Sequence, residues 1–361
     1  MSRIASLKFA DHKLGTFLVR VLPKPHPSCN EGFESNSILL IRPGGIGDAI
    51  HLIPAIKILR AFLPGVAIDI LAERRNEGAF ALCPGIRRVF LYDRPGQLLQ
   101  LLRIRYDVVI DTEQWHRLSA IVARLIRSRV KIGYATSERS RLFTHTVPYR
   151  HDDYEVESFL NLLKPLDISI GSPPDSPWLQ IPAAAHKVAD ELLGDLVGKP
   201  FVVLFPGASI VEKRWPWENF CQVAGWCVKV GLNVVVVGGS EDRAAGERLV
   251  AEAEVTNLAG RTSLAETAAI LGRARVVVSG DSGVLHLAAG VGCPSVALFG
   301  PGNPAKWAPR GPRHVVLNRQ LSCSPCTRFG YTPSCTHGHR CMREISVDEV
   351  TRAIEAVVCK T

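Results

Sequence analysis

Short runs of aliphatic and β-branched residues alternate along this chain with helical stretches, and the pattern runs through twice. In the first half the runs Ile38–Arg42, Val66–Leu71, Arg87–Leu91, Asp107–Ile110 and Val130–Gly133 alternate with helical signals at Ala49–Phe62, Asn76–Leu82, Gln97–Arg103 and Arg117–Ile126. None of these runs shows the polar alternation of a strand with one wet face, so parallel strands covered by helices on both sides are predicted. The rhythm breaks at Ile170-Gly-Ser-Pro-Pro-Asp-Ser-Pro177, a stretch with little helix or strand signal, and restarts at Phe201–Phe205. From there Leu232–Val237, Thr256–Leu258, Val276–Ser279 and Ser295–Phe299 alternate with helical signals at Trp217–Val230, Asp242–Ala253, Leu264–Leu271 and Ser282–Ala289. The expected class is α/β, with two Rossmann-like doubly wound domains. An extension covers residues 1–36, the first domain 37–170, a linker 171–182, the second domain 183–330, and a cysteine-containing segment with a final helix 331–361. That last helix is a candidate to fold back onto the first domain.

The length of 361 residues and a hydrophobic content of 47% suit two ordinary cores. No apolar run is long enough to span a bilayer, and the N-terminus lacks a secretory signal, so a cytoplasmic location is expected. Of the ten cysteines, Cys29, Cys83, Cys221, Cys227, Cys293 and Cys359 are scattered as reduced, mostly buried thiols would be. The net charge of +9 is uneven: residues 1–170 hold 24 Lys/Arg against 17 Asp/Glu, the remainder 19 against 17. The first half therefore favours an anionic partner, either a phosphorylated or carboxylated small molecule or an anionic membrane surface, with a solvated basic face that has no partner as the alternative. A nucleic acid is not expected, because no recognition motif and no interleaving of aromatic with basic residues is present.

Ligands of doubly wound sheets bind beyond the carboxyl ends of the strands, so the loops after Ile41, Phe205, Val237 and Val278 are the places to search. The last of these, Gly280-Asp-Ser-Gly-Val-Leu-His286, reads as a tight turn into a helix. Free amides and the positive end of the helix dipole make such a turn an anion cradle, with Gly283 admitting a phosphate and His286 one turn in. Plain helix capping by Asp281 or Ser282 is the alternative. After the first strand, Arg42-Pro-Gly-Gly-Ile-Gly-Asp48 sets a carboxylate in the first turn of a helix. The dipole favours its charged form, and it could accept a proton from a substrate hydroxyl, or merely cap the helix. Phe205-Pro-Gly-Ala-Ser-Ile-Val-Glu-Lys213 offers a hydroxyl at Ser209 and an ammonium at Lys213, able to meet charge developing on a leaving phosphate. Glu241, in Gly238-Gly-Ser-Glu241, could bond a ribose diol or cap a helix. Neither half contains Gly-x-Gly-x-x-Gly after a strand, which argues against a nicotinamide-dependent oxidoreductase.

Taken together, Gly47-Asp-x-x-His51, Lys213-x-Trp-Pro216, Gly-Gly-Ser-Glu at 238–241 and Asp281-Ser-Gly-x-x-His-x-Ala-Ala289 with Ala297-Leu-Phe-Gly-Pro301 resemble glycosyltransferase family 9, the lipopolysaccharide heptosyltransferases. The resemblance covers most of residues 37–358. It implies a GT-B fold of two facing Rossmann-like domains, the first for the acceptor and the second for a nucleotide sugar. The implied reaction moves a heptose from ADP-heptose to a lipopolysaccharide inner-core acceptor, with inversion and no required cofactor. Another nucleotide sugar, or a non-catalytic envelope-assembly protein on the same fold, are the alternatives. On this resemblance Asp48 is the base and Lys213 the phosphate-stabilising lysine, while Ser209, Glu241, Asp281, Ser282, Gly283 and His286 line the donor site. No Asp-x-Asp triplet occurs, against a metal-dependent GT-A enzyme.

Two regions depart from that pattern. Cys323-x2-Cys326-x8-Cys335-x5-Cys341 has the spacing of a zinc knuckle, making a structural zinc the candidate, against buried thiols. In the extension, Ile4, Leu7, Leu14, Leu18 and Val21 fall at helical spacing near Lys8, Lys13 and Arg20. That pattern suits a loose tail or packing on the first domain, with peripheral contact with the cytoplasmic face of the inner membrane as the alternative.

Overall fold

The computed structural model describes residues 11–25, 36–173 and 176–359. The chain divides into two compact units, Met1–Pro173 and Pro174–Thr361.

The first unit is built on a six-stranded sheet of β1 (Ser37–Ile41), β2 (Ala67–Ala72), β3 (Ile86–Leu91), β4 (Arg105–Asp111), β5 (Arg127–Tyr134) and β6 (His145–Val147). Its order is β3-β2-β1-β4-β5-β6, and every paired edge is parallel. Ile38 to Ile41 of β1 are essentially inaccessible, which is why this strand carries no polar alternation. Leu39, Ile41 and Val109 pack with Leu101, Ile121 and Val19, so a residue of the N-terminal segment belongs to this core. Each such side chain contributes roughly 1.5–3 kcal/mol on burial.

The second unit repeats the plan with β7 (Phe201–Phe205), β8 (Asn233–Val236), β9 (Thr256–Asn257), β10 (Val276–Gly280), β11 (Ser295–Phe299) and β12 (His314–Asn318). The order is β12-β11-β10-β7-β8-β9, again parallel throughout. Counted from its own first strand, each sheet reads 3-2-1-4-5-6. In each, the strand order reverses between the first and fourth strands, leaving a crevice at their carboxyl ends. For the second unit those strands are β7 and β10, and Val276, Val277 and Val278 are fully buried.

Two helices start on reciprocal caps written in the sequence. Ser263 accepts from the Glu266 amide while Glu266 accepts from the Ser263 amide, and Ser346 and Glu349 do the same. The second pair opens Val347–Val358, whose Val350, Ile354 and Val357 complete the core of the second unit with Val223, Val278 and Leu298. The final helix is thus a structural part of the second unit. Edge strands β6 and β12 and the helix Ala183–Leu193 were not expected from the sequence. β6 has three residues, and β12 is half-exposed along most of its length, so neither carries a buried strand's apolar run. Ala183–Leu193 is composed of good helix formers, which did carry the signal.

Candidate functional site

At the crevice of the first sheet, β1 runs into Arg42-Pro43-Gly44-Gly45 and then the helix Ile46–Phe62. Gly44 has φ +110°, a conformation that L side chains avoid, and a Cβ there would lie 3.1 Å from Arg42 Nη2. This tight turn sets the half-buried Asp48 in the first helical turn. The helix's N-cap, Gly45, makes no side-chain cap hydrogen bond. His51, a turn further on, is buried with its ring 5.7 Å from that of Tyr154.

Arg42 is only 1% exposed. Its guanidinium donates to Glu113 Oε2 at 2.9 Å, to the Thr112 carbonyl at 2.9 Å and to the Pro43 carbonyl at 2.6 Å. Burial works against its charge, and the carboxylates of Asp48, Glu113 and Glu155 more than compensate. Burial would likewise push the Glu113 carboxyl up, but Arg42, His116 and Arg139 together hold it below its ordinary value. Arg139 pairs with Asp111 at the end of β4 and donates to the Glu113 carbonyl. Glu155 accepts from Tyr149 and Gln114. The ends of β1 and β4 are thereby clamped by paired charges beneath the Asp48 loop. Arg42 and Glu113 were absent from the sequence-based site, although both stand at the carboxyl ends of the two strands that border the crevice.

In the second unit the corresponding loops bring Lys213 and Asp281 together. Lys213 Nζ donates to Asp281 Oδ2 at 2.5 Å, and His286 Nε2 lies 3.5 Å from Oδ1 of the same carboxylate. Asp281 is 6% exposed. Burial pushes its carboxyl up, but Lys213 and His286 outweigh that and hold it well below the usual carboxylate range. The Lys213 ammonium also stands 6.0 Å from the centre of the Trp307 ring, a cation–π contact. Two glycines make the close approach possible. A Cβ at Gly280 would sit 3.0 Å from the Lys213 carbonyl, and one at Gly302 would run into Asp281 Oδ2.

Ser282 is the N-cap of Gly283–Val291, its hydroxyl accepting from the Leu285 amide at 3.3 Å and lying 2.8 Å from Ser279 Oγ. Of Asp281 and Ser282, it is Ser282 that caps the helix, while the Asp281 carboxylate is used by Lys213. Ser209 is exposed in the β7 loop, and Glu241 is exposed in the 3-10 turn Ser240–Asp242 after β8. Capping there falls to Asp242, which accepts from the Gly239 amide at 2.9 Å. Asp242 is buried against Gly207, and burial together with the nearby Glu241 raises its carboxyl above the ordinary value. The sequence reading named Glu241 and missed the buried acid beside it.

Cys323, Cys326, Cys335 and Cys341 are free thiols in one neighbourhood: burial raises Cys326 and Cys341, Cys335 and Cys323 raise both further, and Cys326 adds to the rise at Cys341. The Cys335 sulfur accepts from the His337 and His339 amides at 3.4 and 3.3 Å. Among the described residues, however, no three His, Cys, Asp or Glu side chains are gathered closely enough to hold a metal ion. The side chains as they stand do not form the cage that the spacing predicts. No helix among the described residues is long and apolar enough to cross a membrane.

The sequence profile of glycosyltransferase family 9 (heptosyltransferase) matches residues 96–336. The chain is similar to lipopolysaccharide heptosyltransferase 1 of Pseudomonas aeruginosa, with 28% identity over 334 residues, 83% of this chain and 87% of the relative. Its structure is similar to a family 9 glycosyltransferase from Veillonella parvula, with a TM-score of 0.77, 21% identity, and coverage of 93% and 100% of the two chains. It is also similar to E. coli ADP-heptose lipopolysaccharide heptosyltransferase II, with a TM-score of 0.74, 22% identity, and coverage of 90% and 99%. The expected GT-B fold is the observed one.

Proposed function

Because the chain belongs to glycosyltransferase family 9, the heptosyltransferases, we propose that it transfers a heptose from ADP-heptose to an inner-core lipopolysaccharide acceptor, with inversion and without a catalytic metal. The first unit takes the anionic acceptor and the second the nucleotide sugar. The observation that carries this reading is the Lys213–Asp281 pair at the second crevice, where a buried carboxylate holds a lysine beside the start of Gly283–Val291.

In the proposed step the acceptor oxygen forms a bond to the anomeric carbon, and the bond from that carbon to the diphosphate oxygen breaks. The electron pair leaves with ADP, and the acceptor's proton goes to the Asp48 carboxylate. Charge gathers on the departing diphosphate, where the Lys213 ammonium and the amides opening the Gly283–Val291 helix can meet it. Asp281 acts through Lys213, fixing the ammonium before the donor arrives. Ser209 and Glu241, both on exposed loops beyond strand ends, are assigned to the diphosphate and the ribose diol, and His286 to the sugar side.

The test is transfer measured by mass spectrometry with ADP-heptose and a purified inner-core acceptor. Lys213→Ala is expected to lower kcat by about 10²-fold or more, as losing one charge-stabilising donor does. Chelator in the assay is expected to leave the parent rate unchanged. A protein that binds ADP-heptose yet yields no product with any core acceptor overturns the reading.

A further inference from the structure

The N-terminal helix is apolar on the side that faces away from the protein. A π-helical turn, Asp11–Gly15, leads directly into the helix Thr16–Val21. Val19 is fully buried in the first core, and Asp11, 5% exposed, turns its carboxylate onto the Arg117 and Leu118 amides at 2.7 and 2.8 Å. The segment is therefore fastened to the first unit from both ends of its inner face. Its outer face carries Leu14, Phe17 and Val21, which are 52%, 62% and 61% exposed. Residues three and four apart share one helix face, so these three form a continuous ridge. Water is a poor neighbour for it.

Cations surround the ridge. Arg20 and Lys24 are exposed, Arg141 Nη1 donates to the Arg20 carbonyl at 2.8 Å, and Arg124 Nε donates to the Pro23 carbonyl at 2.9 Å. Leu125, next to Arg124, is itself 51% exposed. The nearby acid Glu138 is taken by Arg117 at 2.7 Å, and Asp11 faces inward. Over residues 1–25 the sequence holds five Lys/Arg and one acid.

We propose that this ridge is a docking surface for an anionic lipid bilayer. A ridge of aromatic and aliphatic side chains flanked by arginine and lysine fits the boundary between headgroups and acyl chains. The cations meet lipid phosphates while Leu14, Phe17 and Val21 enter the apolar layer. The choice of a bilayer over a protein rests on this charge complementarity and, in part, on the proposed acceptor, whose lipid portion lies in a membrane. Such an anchor is reversible, since three side chains and a few charges give modest affinity.

The test uses the purified full chain with vesicles of phosphatidylcholine alone and of equal parts phosphatidylcholine and phosphatidylglycerol, with neither donor nor acceptor present. Co-sedimentation is expected with the anionic vesicles and much less with the neutral ones. In F17S/V21S, binding is expected to fall about tenfold or more through loss of apolar burial, with melting unchanged because both residues face solvent. R20E is expected to weaken binding to the anionic vesicles selectively. Equal binding by parent and F17S/V21S, or none by the parent, overturns the proposal. So does a parent dimer in sedimentation velocity that F17S/V21S dissociates, which assigns the ridge to a second copy. Transfer to a deacylated acceptor in solution reads the catalytic proposal separately. F17S/V21S is expected to retain that activity, and its loss there would mean a structural role for the helix.

Discussion

Lys213 and Asp281 come from different loops, 68 residues apart, yet their charged groups stand 2.5 Å from each other at the crevice of the second sheet. The arrangement follows from topology: β7 and β10 are neighbours in the sheet, and each delivers one partner just beyond its carboxyl end. Removing one partner of a nearly buried pair leaves the other uncompensated. Asp281→Asn is expected to cost about 3 kcal/mol at neutral pH, read by urea denaturation. The folded-state carboxyl lies below its ordinary value, so this contribution is present above the ordinary value of 3.8 and lost as pH falls toward the folded one. The parent's advantage over Asp281→Asn should therefore hold steady from neutral pH to about 4 and shrink only below it. An advantage that shrinks between neutral pH and 5 would contradict the pairing.

Gly302 offers a way to disturb the same pair without touching either member. A methyl group at this position would collide with Asp281 Oδ2. Gly302→Ala is expected to destabilise by about 1–3 kcal/mol, typical of overpacking, and to raise KM for the donor by displacing Lys213. In an Asp281→Ala background there is no carboxylate to strike, so the added cost should largely vanish. Denaturation of the four proteins in a double-mutant cycle measures it, and additive costs would show that the collision is elsewhere.

Arg42 and Glu113 are expected to govern stability more than chemistry, whereas Asp48, in the first turn of the helix that follows Arg42, is expected to govern the proton. Asp48→Asn should lower kcat about 10²–10⁴-fold, the usual worth of a general base, with KM for the acceptor little changed. Glu113→Gln leaves the buried Arg42 charge short of a partner and should cost about 3–5 kcal/mol. Steady-state transfer assays beside urea curves separate the two. A folded Asp48→Asn protein with the parent's rate removes the base from this position.

The architecture was legible because buried parallel strands announce themselves as unbroken apolar runs, as at Val276–Ser279, and because Gly and Pro mark the turns between them. Lys213 and Asp281 were readable one at a time, as polar residues in loops beyond strand ends, although helix capping accounted for Asp281 equally well. What escaped was anything dependent on pairing at a distance. Arg42 looks like an ordinary residue before Pro-Gly-Gly, and only the adjacency of β1 and β4 gives it Glu113 as a partner. Asp242 lost to Glu241 because one residue along a 3-10 turn decides which acid faces Gly207 and which faces water. The final helix carried its apolar stripe plainly, but nothing local says which core it fills. Four cysteines at knuckle spacing specify a neighbourhood, and the closure of their side chains around an ion is a matter of rotamers that spacing does not encode.

The remaining thiols provide a chemical check of the fold. Burial pushes Cys227 and Cys293 up to about 12 and Cys83 up to about 11, so at mildly alkaline pH almost none of each is thiolate, the form that reacts. Cys359, by contrast, is exposed at the end of the last helix. Alkylation of the native protein at pH 8, followed by peptide mass spectrometry, should modify Cys359 early and leave Cys83, Cys227 and Cys293 unmodified until urea unfolds the chain. Cys227 and Cys293 sit in the second unit and Cys83 in the first, so their protection reports on each unit separately. Protection of Cys83 that fails at lower urea than that of Cys227 and Cys293 would reveal independent unfolding of the two units. Rapid native labelling of Cys293, next to the β10–β11 pairing, would be incompatible with the sheet described here.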